Sequence, residues 1–164
     1  MRPRLNLGSS IKLIVTDFDG VLSDGKIYVD DNLVTSKTMS YKDLMGIFQA
    51  IKAGINIAII SGENSKAIDY LKMKCPTIEA YQGIRIKIDV LKQLVEKYYL
   101  SPEEVVYIGD DVNDIMCLEA VKYKVTVPNA NWQVKNVPGI QMTQNFGGDG
   151  AFREVVDSII CPKF

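Results

Sequence analysis

A doubly wound α/β fold on a parallel sheet is what this 164-residue sequence predicts, and three observations predict it. Short apolar runs of strand length alternate along the chain with stretches whose apolar residues recur at helical spacing. The first run, Ile11, Leu13, Ile14 and Val15, is almost continuous, the pattern of a strand buried on both faces of a sheet. Three of the runs end abruptly in polar clusters, Asp17/Asp19, Ser61/Gly62 and Asp110/Asp111. In open α/β sheets that carboxyl end of the strands is where ligands bind.

Taken in order, the first strand is followed by a β-hairpin over residues 26 to 39. There Ile27 and Val29 alternate with polar neighbours, Asp30-Asp31-Asn32 breaks the run and Val34 restarts it. Leu44, Ile47, Phe48 and Ile51 then mark a helix, stopped by Gly54. Residues 55 to 60, INIAII, form a second buried strand, and a helix over about 65 to 73 carries Ile68 and Leu71. A short strand at 78 to 81 precedes a helix over about 85 to 98, with Ile88, Leu91, Leu94, Val95 and Tyr98 on its apolar side. Ser101-Pro102-Glu103-Glu104 is a helix-start signature worth one turn, because a cap, a first-turn proline and acids at the positive dipole end coincide. The strand VVYI, residues 105 to 108, leads to a helix over 114 to 121, then the strand KVTV and a turn around Trp132. Gly147-Gly148-Asp149-Gly150 opens a last helix over 151 to 160. The hairpin is the one antiparallel unit and should project from the sheet.

Composition narrows the chemistry. One domain over residues 1–164 is the simplest organisation, and 47% hydrophobic with 24% charged residues is an ordinary globular balance. A net charge of −1 offers no electrostatic reason to expect nucleic acid or an anionic membrane as partner. Histidine is absent, which removes Ser-His-Asp and Cys-His catalysis and His-ligated zinc together. Cys75, Cys117 and Cys161 lie far apart and form no C-x-x-C pair, so free thiols in a reducing cytoplasm are expected. The N-terminal MRPRLNLGSS runs straight into the Asp motif and does not read as a cleavable signal, and nothing approaches the about 20 apolar residues of a membrane span.

If the three strands are neighbours, their polar ends converge on one edge, and Lys87 near a later helix start joins them. The set supplies what phosphoryl transfer needs: a carboxylate nucleophile, donors for phosphate oxygens, a cation, and carboxylates to hold Mg²⁺. All-oxygen ligands suit Mg²⁺ over zinc. Each position also has a plainer reading. The Asp pair can cap a turn, Ser61 can cap a helix, Lys87 can sit on a solvated face, and GDDVND can be a capped helix start or a partial calcium loop. GVLSDGKI nearly matches a P-loop, but Ile27 replaces the Ser/Thr and a strand follows.

DFDGVLSDG at 17–25, Ser61-Gly62, YQGIRIK at 81–87 and GDDVND at 109–114 together resemble the four motifs of the haloacid dehalogenase superfamily. They are similar in particular to its 3-deoxy-octulosonate 8-phosphate phosphatase branch, to which GGDGAFRE at 147–154 is similar as well. The resemblance implies a Rossmann-like core and the following roles. Asp17 is the nucleophile that forms an aspartyl-phosphate and also binds Mg²⁺. Asp19 is the general acid–base residue, with its backbone carbonyl on the metal. Ser61 and the Gly62 N–H bind phosphate oxygens, Lys87 balances charge, and Asp110 binds Mg²⁺ directly with Asp111 and Asp114 behind it.

The intervals between motifs leave no room for a cap domain, so a neighbouring subunit or a large substrate must close the site. The capless branch forms homotetramers whose hairpins meet, which assigns that role to residues 26 to 39. Its substrates are 3-deoxy-2-keto sugar acid phosphates, eight-carbon octulosonates or nine-carbon nonulosonates, and the octulosonate is the favoured expectation. Glu63 is more similar to the nine-carbon enzymes, and Leu71 stands where a basic residue is expected, flanked by Lys72 and Lys74. Glu63, Lys74 and Arg153 are the expected substrate contacts. Only four residues follow position 160, so no tail is expected to enter a neighbour's site. A receiver-type signalling domain and a catalytically silent oligomerisation module are the rivals from other classes. A receiver places its phospho-accepting Asp after a later strand and lacks D-x-D-G, and every motif residue is intact here.

Overall fold

The computed structural model describes residues 5–160. In chain order the strands are β1 (Leu13–Thr16), β2 (Tyr28–Val29), β3 (Thr35–Ser36), β4 (Asn56–Ile60), β5 (Glu79–Tyr81), β6 (Val105–Ile108), β7 (Tyr123–Thr126) and β8 (Gln141–Met142). The helices are α1 (Tyr41–Lys52), α2 (Lys66–Lys74), α3 (Lys87–Lys97), α4 (Ile115–Ala120), α5 (Trp132–Lys135) and α6 (Ala151–Ile160), with 3-10 turns at Pro102–Glu104 and Val112–Asp114. Strand and helix bounds fall within a few residues of those expected.

Six strands form one parallel sheet in the order β5-β4-β1-β6-β7-β8, with the first strand near its middle. Thr16 is level with Ile59 of β4 and with Ile108 of β6. The residues that follow these three strands therefore emerge side by side, as the convergence of the polar clusters requires. Successive residues of β1 serve opposite layers. Ile14 packs in a core with Ile47 and Ala50 of α1, Ile68 of α2 and Phe152 of α6, while Leu13 and Val15 pack with Leu91 and Leu94 of α3, Leu118 of α4 and Val134 of α5. Helices on both faces explain the continuous apolar run.

Two elements depart from the sequence reading. β8 is a two-residue edge strand beside β7, with no apolar run to announce it. Phe48, placed on the apolar side of α1 by its spacing, is 41% exposed, while Ile47 and Ala50 are buried. The hairpin is present as a separate two-stranded ribbon, with Tyr28 opposite Ser36 and Val29 opposite Thr35. Its turn is held by Asp30, whose Oδ1 accepts the N–H groups of Asn32 and Val34 at 2.9 Å. All four residues of its strands are exposed. No helix among the described residues is long and apolar enough to cross a membrane. Cys75 and Cys117 are buried and unpaired, and Cys161 lies outside the described residues.

Candidate active site

The carboxyl ends of β1, β4 and β6 open into a cleft of about 250 Å³ lined by Asp17, Asp19, Gly25, Gly62, Glu63, Asp110, Asp111 and Asn113. Asp17 leaves β1 with its N–H still bonded to the Ile108 carbonyl of β6 at 2.9 Å, so the sheet itself aims the side chain. Its Oδ1 accepts the Phe18 N–H at 2.7 Å and lies 3.0 Å from the Lys87 ammonium.

Lys87 is the first residue of α3, and its side chain is fully buried. It bridges Asp17 and Asp114, reaching Asp114 Oδ1 at 2.8 Å. The same Asp114 oxygen accepts the Tyr107 hydroxyl at 2.7 Å, and Asp114 Oδ2 accepts the Asp110 and Asp111 N–H groups at 3.1 and 3.3 Å. Asp114 is thus saturated by four donors. Burial pushes the Lys87 ammonium down, but Asp114 and Asp17 outweigh it and hold the group above its ordinary value.

Asp110 is the opposite case. Its Oδ1 is buried without any hydrogen-bond partner, a costly state for a carboxylate. Burial, with Asp114 beside it, pushes the Asp110 carboxyl up to about 7. Burial and Asp114 also drive the Asp17 carboxyl well above its ordinary value, against the pull of Lys87. Asp17, Asp110 and Asp114 each offer a carboxylate oxygen within 4.8 Å of the others. Three carboxylates around one ammonium leave a buried excess of negative charge, which a divalent cation would relieve. Oxygen donors, an orphaned carboxylate oxygen and unbalanced charge all fit a hard divalent cation.

Backbone geometry makes room for this cluster. Gly20, at φ +84°, lies against Asp110, and a Cβ there would fall 1.8 Å from Asp110 Oδ2. The late glycine loop closes back on the same turn. The Asn129 side chain donates to the Gly20 carbonyl at 2.9 Å and accepts the Gly147 N–H at 2.8 Å, while the Gly148 N–H donates to the Val21 carbonyl at 2.8 Å. A Cβ on Gly147 would sit 1.7 Å from the Gly20 oxygen. GGDG is therefore a clasp on the Asp17–Gly20 turn as well as the start of α6.

The other expected residues divide. Asp19 lines the cleft, but its carboxylate pairs with Lys37 of the hairpin at 2.7 Å rather than joining the acidic cluster. Ser61 is buried just before the cleft-lining Gly62, where its hydroxyl donates to the Glu63 carbonyl at 2.9 Å and accepts the Glu63 N–H at 3.2 Å. Gly62 and Glu63 are exposed on the cleft wall. Asp111 lines the cleft and caps the turn at Val112–Asp114. Lys74 and Arg153 are not brought to the cleft within one chain. Lys74 ends α2 with its ammonium 5.5 Å from the Tyr70 ring centre, and Arg153 Nε donates to Asp157 at 2.7 Å. Residues that sequence reasoning did not select are Tyr107, Lys37, Asn113 and Asn129. Tyr107 carried a usable signal, since a hydroxyl inside a buried strand needs a partner.

Comparison with known proteins agrees with this fold. The family model for haloacid dehalogenase-like hydrolases matches residues 63–151. The 3-deoxy-D-manno-octulosonate 8-phosphate phosphatase KdsC of Salmonella typhi is 36% identical over 152 residues, covering 92% of this chain and 80% of the relative. The corresponding Yersinia pestis protein is 33% identical over 152 residues, covering 93% of this chain and 81% of that protein. Among solved structures, the Moraxella catarrhalis 3-deoxy-D-manno-octulosonate 8-phosphate phosphatase, in complex with magnesium ion, phosphate ion and KDO, superposes with a TM-score of 0.87 at 31% identity, covering 93% of this chain and 87% of that one. The cobalt-bound Haemophilus influenzae phosphatase YrbI gives a TM-score of 0.86 at 31% identity, over 93% of this chain and 89% of that chain. The fold is thus shared along nearly the whole chain with proteins of one kind, and this chain belongs to the haloacid dehalogenase-like hydrolases, within their capless 3-deoxy-D-manno-octulosonate 8-phosphate phosphatase family of phosphomonoesterases.

Proposed function

We propose that the chain hydrolyses the phosphate monoester of a 3-deoxy-2-keto sugar acid, with 3-deoxy-D-manno-octulosonate 8-phosphate the favoured substrate and Mg²⁺ the cofactor. The observation that carries the reading is the Asp17 carboxylate, held by buried Lys87 and set beside the unpartnered Asp110 oxygen. Asp17 and Asp110 would hold the Mg²⁺, with the Asp19 carbonyl. Asp114, its oxygens already engaged, holds Lys87 and the Asp110 backbone instead. Bound there, Mg²⁺ supplies Lewis-acid neutralisation of phosphate oxygens.

In this reading an Asp17 oxygen attacks phosphorus as the ester P–O bond breaks, and Asp19 gives its proton to the departing sugar oxygen. Asp19 then takes a proton from water as that water displaces Asp17 from phosphorus, releasing phosphate and the free carboxylate. Lys87 offsets the repulsion between carboxylate and phosphate. The Gly62 N–H and the Ser61 hydroxyl bind phosphate oxygens, and the hydroxyl must first leave the Glu63 carbonyl. A nine-carbon acid is the second reading, favoured by Glu63 on the cleft wall.

The exposed apolar ribbon supports a homotetramer in which a neighbour covers the cleft. Lys74 and Arg153 enter the reading only through such a neighbour, and Arg153 would have to exchange Asp157 for substrate. The buried free thiols suit a cytoplasmic location. Phosphate release from eight- and nine-carbon sugar acid phosphates, with Mg²⁺ and after chelation, tests the whole. Metal-dependent release from one of them is expected. No release from any ester would leave a silent oligomerisation module as the better account.

A further inference from the structure

The hairpin reaches the reaction centre through one side chain. Lys37 directly follows β3, and its ammonium lies 2.7 Å from Asp19 Oδ1 and 2.9 Å from Oδ2. Although both strands of the ribbon are exposed, the Lys37 side chain is only 11% exposed. Its nitrogen stands 5.7 Å from the ring centre of buried Phe18, the residue between Asp17 and Asp19. Taking an ammonium out of water is costly without a partner. Among the described residues the one carboxylate paired with Lys37 is Asp19. In return, among the described residues the other side chain bonded to the Asp19 carboxylate is Ser23, at a long 3.5 Å. With both oxygens on one ammonium, the orientation of Asp19 is set by where the hairpin places Lys37. Lys37 itself is not among the residues lining the cleft over Asp17.

We propose that Lys37 is a positioning residue that orients the Asp19 carboxylate for both proton transfers, making them depend on the placement of the hairpin. This rests on the phosphatase reading, in which Asp19 protonates the leaving oxygen and then deprotonates water. It predicts a pattern that neither a phosphate ligand nor a mere structural pair produces.

The test compares the unmutated chain with Lys37→Met and Lys37→Arg, using octulosonate 8-phosphate, p-nitrophenyl phosphate and inhibition by inorganic phosphate. In Lys37→Met, kcat should fall roughly 10- to 100-fold on both esters, because activation of water is common to them. The fall in kcat/KM should be as large for the sugar ester but within about twofold for the aryl ester, whose leaving oxygen needs no proton. The inhibition constant of phosphate should not move, which also reports that the site is folded. Lys37→Arg should recover most of kcat, since a guanidinium can give two N–H groups to one carboxylate. Equal loss of kcat/KM on both esters with weaker phosphate inhibition would make Lys37 a phosphate ligand and overturn the proposal. Unchanged kcat in an active Lys37→Met variant would overturn it too. An unmutated chain that hydrolyses neither ester removes the phosphatase reading and the proposal together, whereas an active parent isolates the proposal.

Discussion

Lys87 is tied more closely to Asp114, 27 residues later in the chain, than to Asp17: the two distances are 2.8 and 3.0 Å. The tie runs between the first residue of α3 and the turn after β6, both fully buried at this point. Asp114→Asn removes the charge on the nearer side and leaves a buried ammonium with Asp17 alone. Leaving a buried charge with no partner costs on the order of 3–5 kcal/mol, and a smaller cost is expected while Asp17 stays beside Lys87. A clear fall in melting temperature with a loss of turnover is therefore expected, checked by thermal melts and phosphate release. Full stability in this variant would show that Asp17 alone suffices to hold Lys87.

Asp17→Asn should abolish turnover, because an amide does not attack phosphorus. The same change relieves a carboxylate that burial drives well above its ordinary value, so the melting temperature without metal should hold or rise. Substantial residual phosphatase activity would sink the nucleophile assignment.

Glu63 stands exposed on the cleft wall immediately after the Ser61 turn. Glu63→Arg should shift the ratio of kcat/KM values toward the eight-carbon acid. One methylene in a pocket is worth about 10- to 200-fold in discrimination, and a shift no larger than that is expected for an exposed wall residue. If the ratio stays put, Glu63 does not read the sugar.

The ribbon should be an oligomer contact. Ile27 and Val29 are 60% and 54% exposed, and an isolated two-stranded ribbon is marginal in water. Light scattering should find an assembly for the unmutated chain and a smaller species once both residues are replaced with charged ones. Activity on the sugar acid phosphate should fall with it, while a small aryl phosphate survives better. An unmutated chain that is monomeric at assay concentrations contradicts this.

Asp43 of α1 ties that helix to the start of α6, accepting the Gly150 N–H at 3.1 Å and the Arg153 N–H at 2.9 Å. Burial nevertheless pushes its carboxyl up to about 6, against these amide donors. An unfolded Asp titrates near about 3.9, so between about pH 4 and 6 the folded chain holds the extra proton. The contribution is present below pH ~4 and is lost as pH rises through ~6. Relative to Asp43→Asn, the melting temperature of the unmutated chain should thus fall from pH ~4 to ~7 and then level off. A difference that grows with pH would instead show a charged cap in command.

The ends of β1, β4 and β6 were legible because each signal is local. An apolar run of strand length that stops at Asp17, Ser61 or Asp110 needs no knowledge of the rest of the chain. The motifs around Lys87 and Gly147–Gly150 were legible in the same way, as residue types at fixed offsets. What a linear pattern does not contain is the partner of a buried polar group. Asp114, expected behind the metal ligands, is filled by Lys87, Tyr107 and two amides, while Asp110 keeps a bare oxygen. Lys37 meets Asp19 only because the ribbon folds back over Phe18. Lys74 and Arg153 point to Tyr70 and Asp157 because helix faces, not sequence neighbourhood, set their direction. The two-residue β8 had no run to announce it and exists because β7 offers an open edge. Burial, charge pairing and edge completion act between residues far apart in the chain, so the sequence determined the sheet and the residue types gathered at its edge, and tertiary packing decided which side chain holds which.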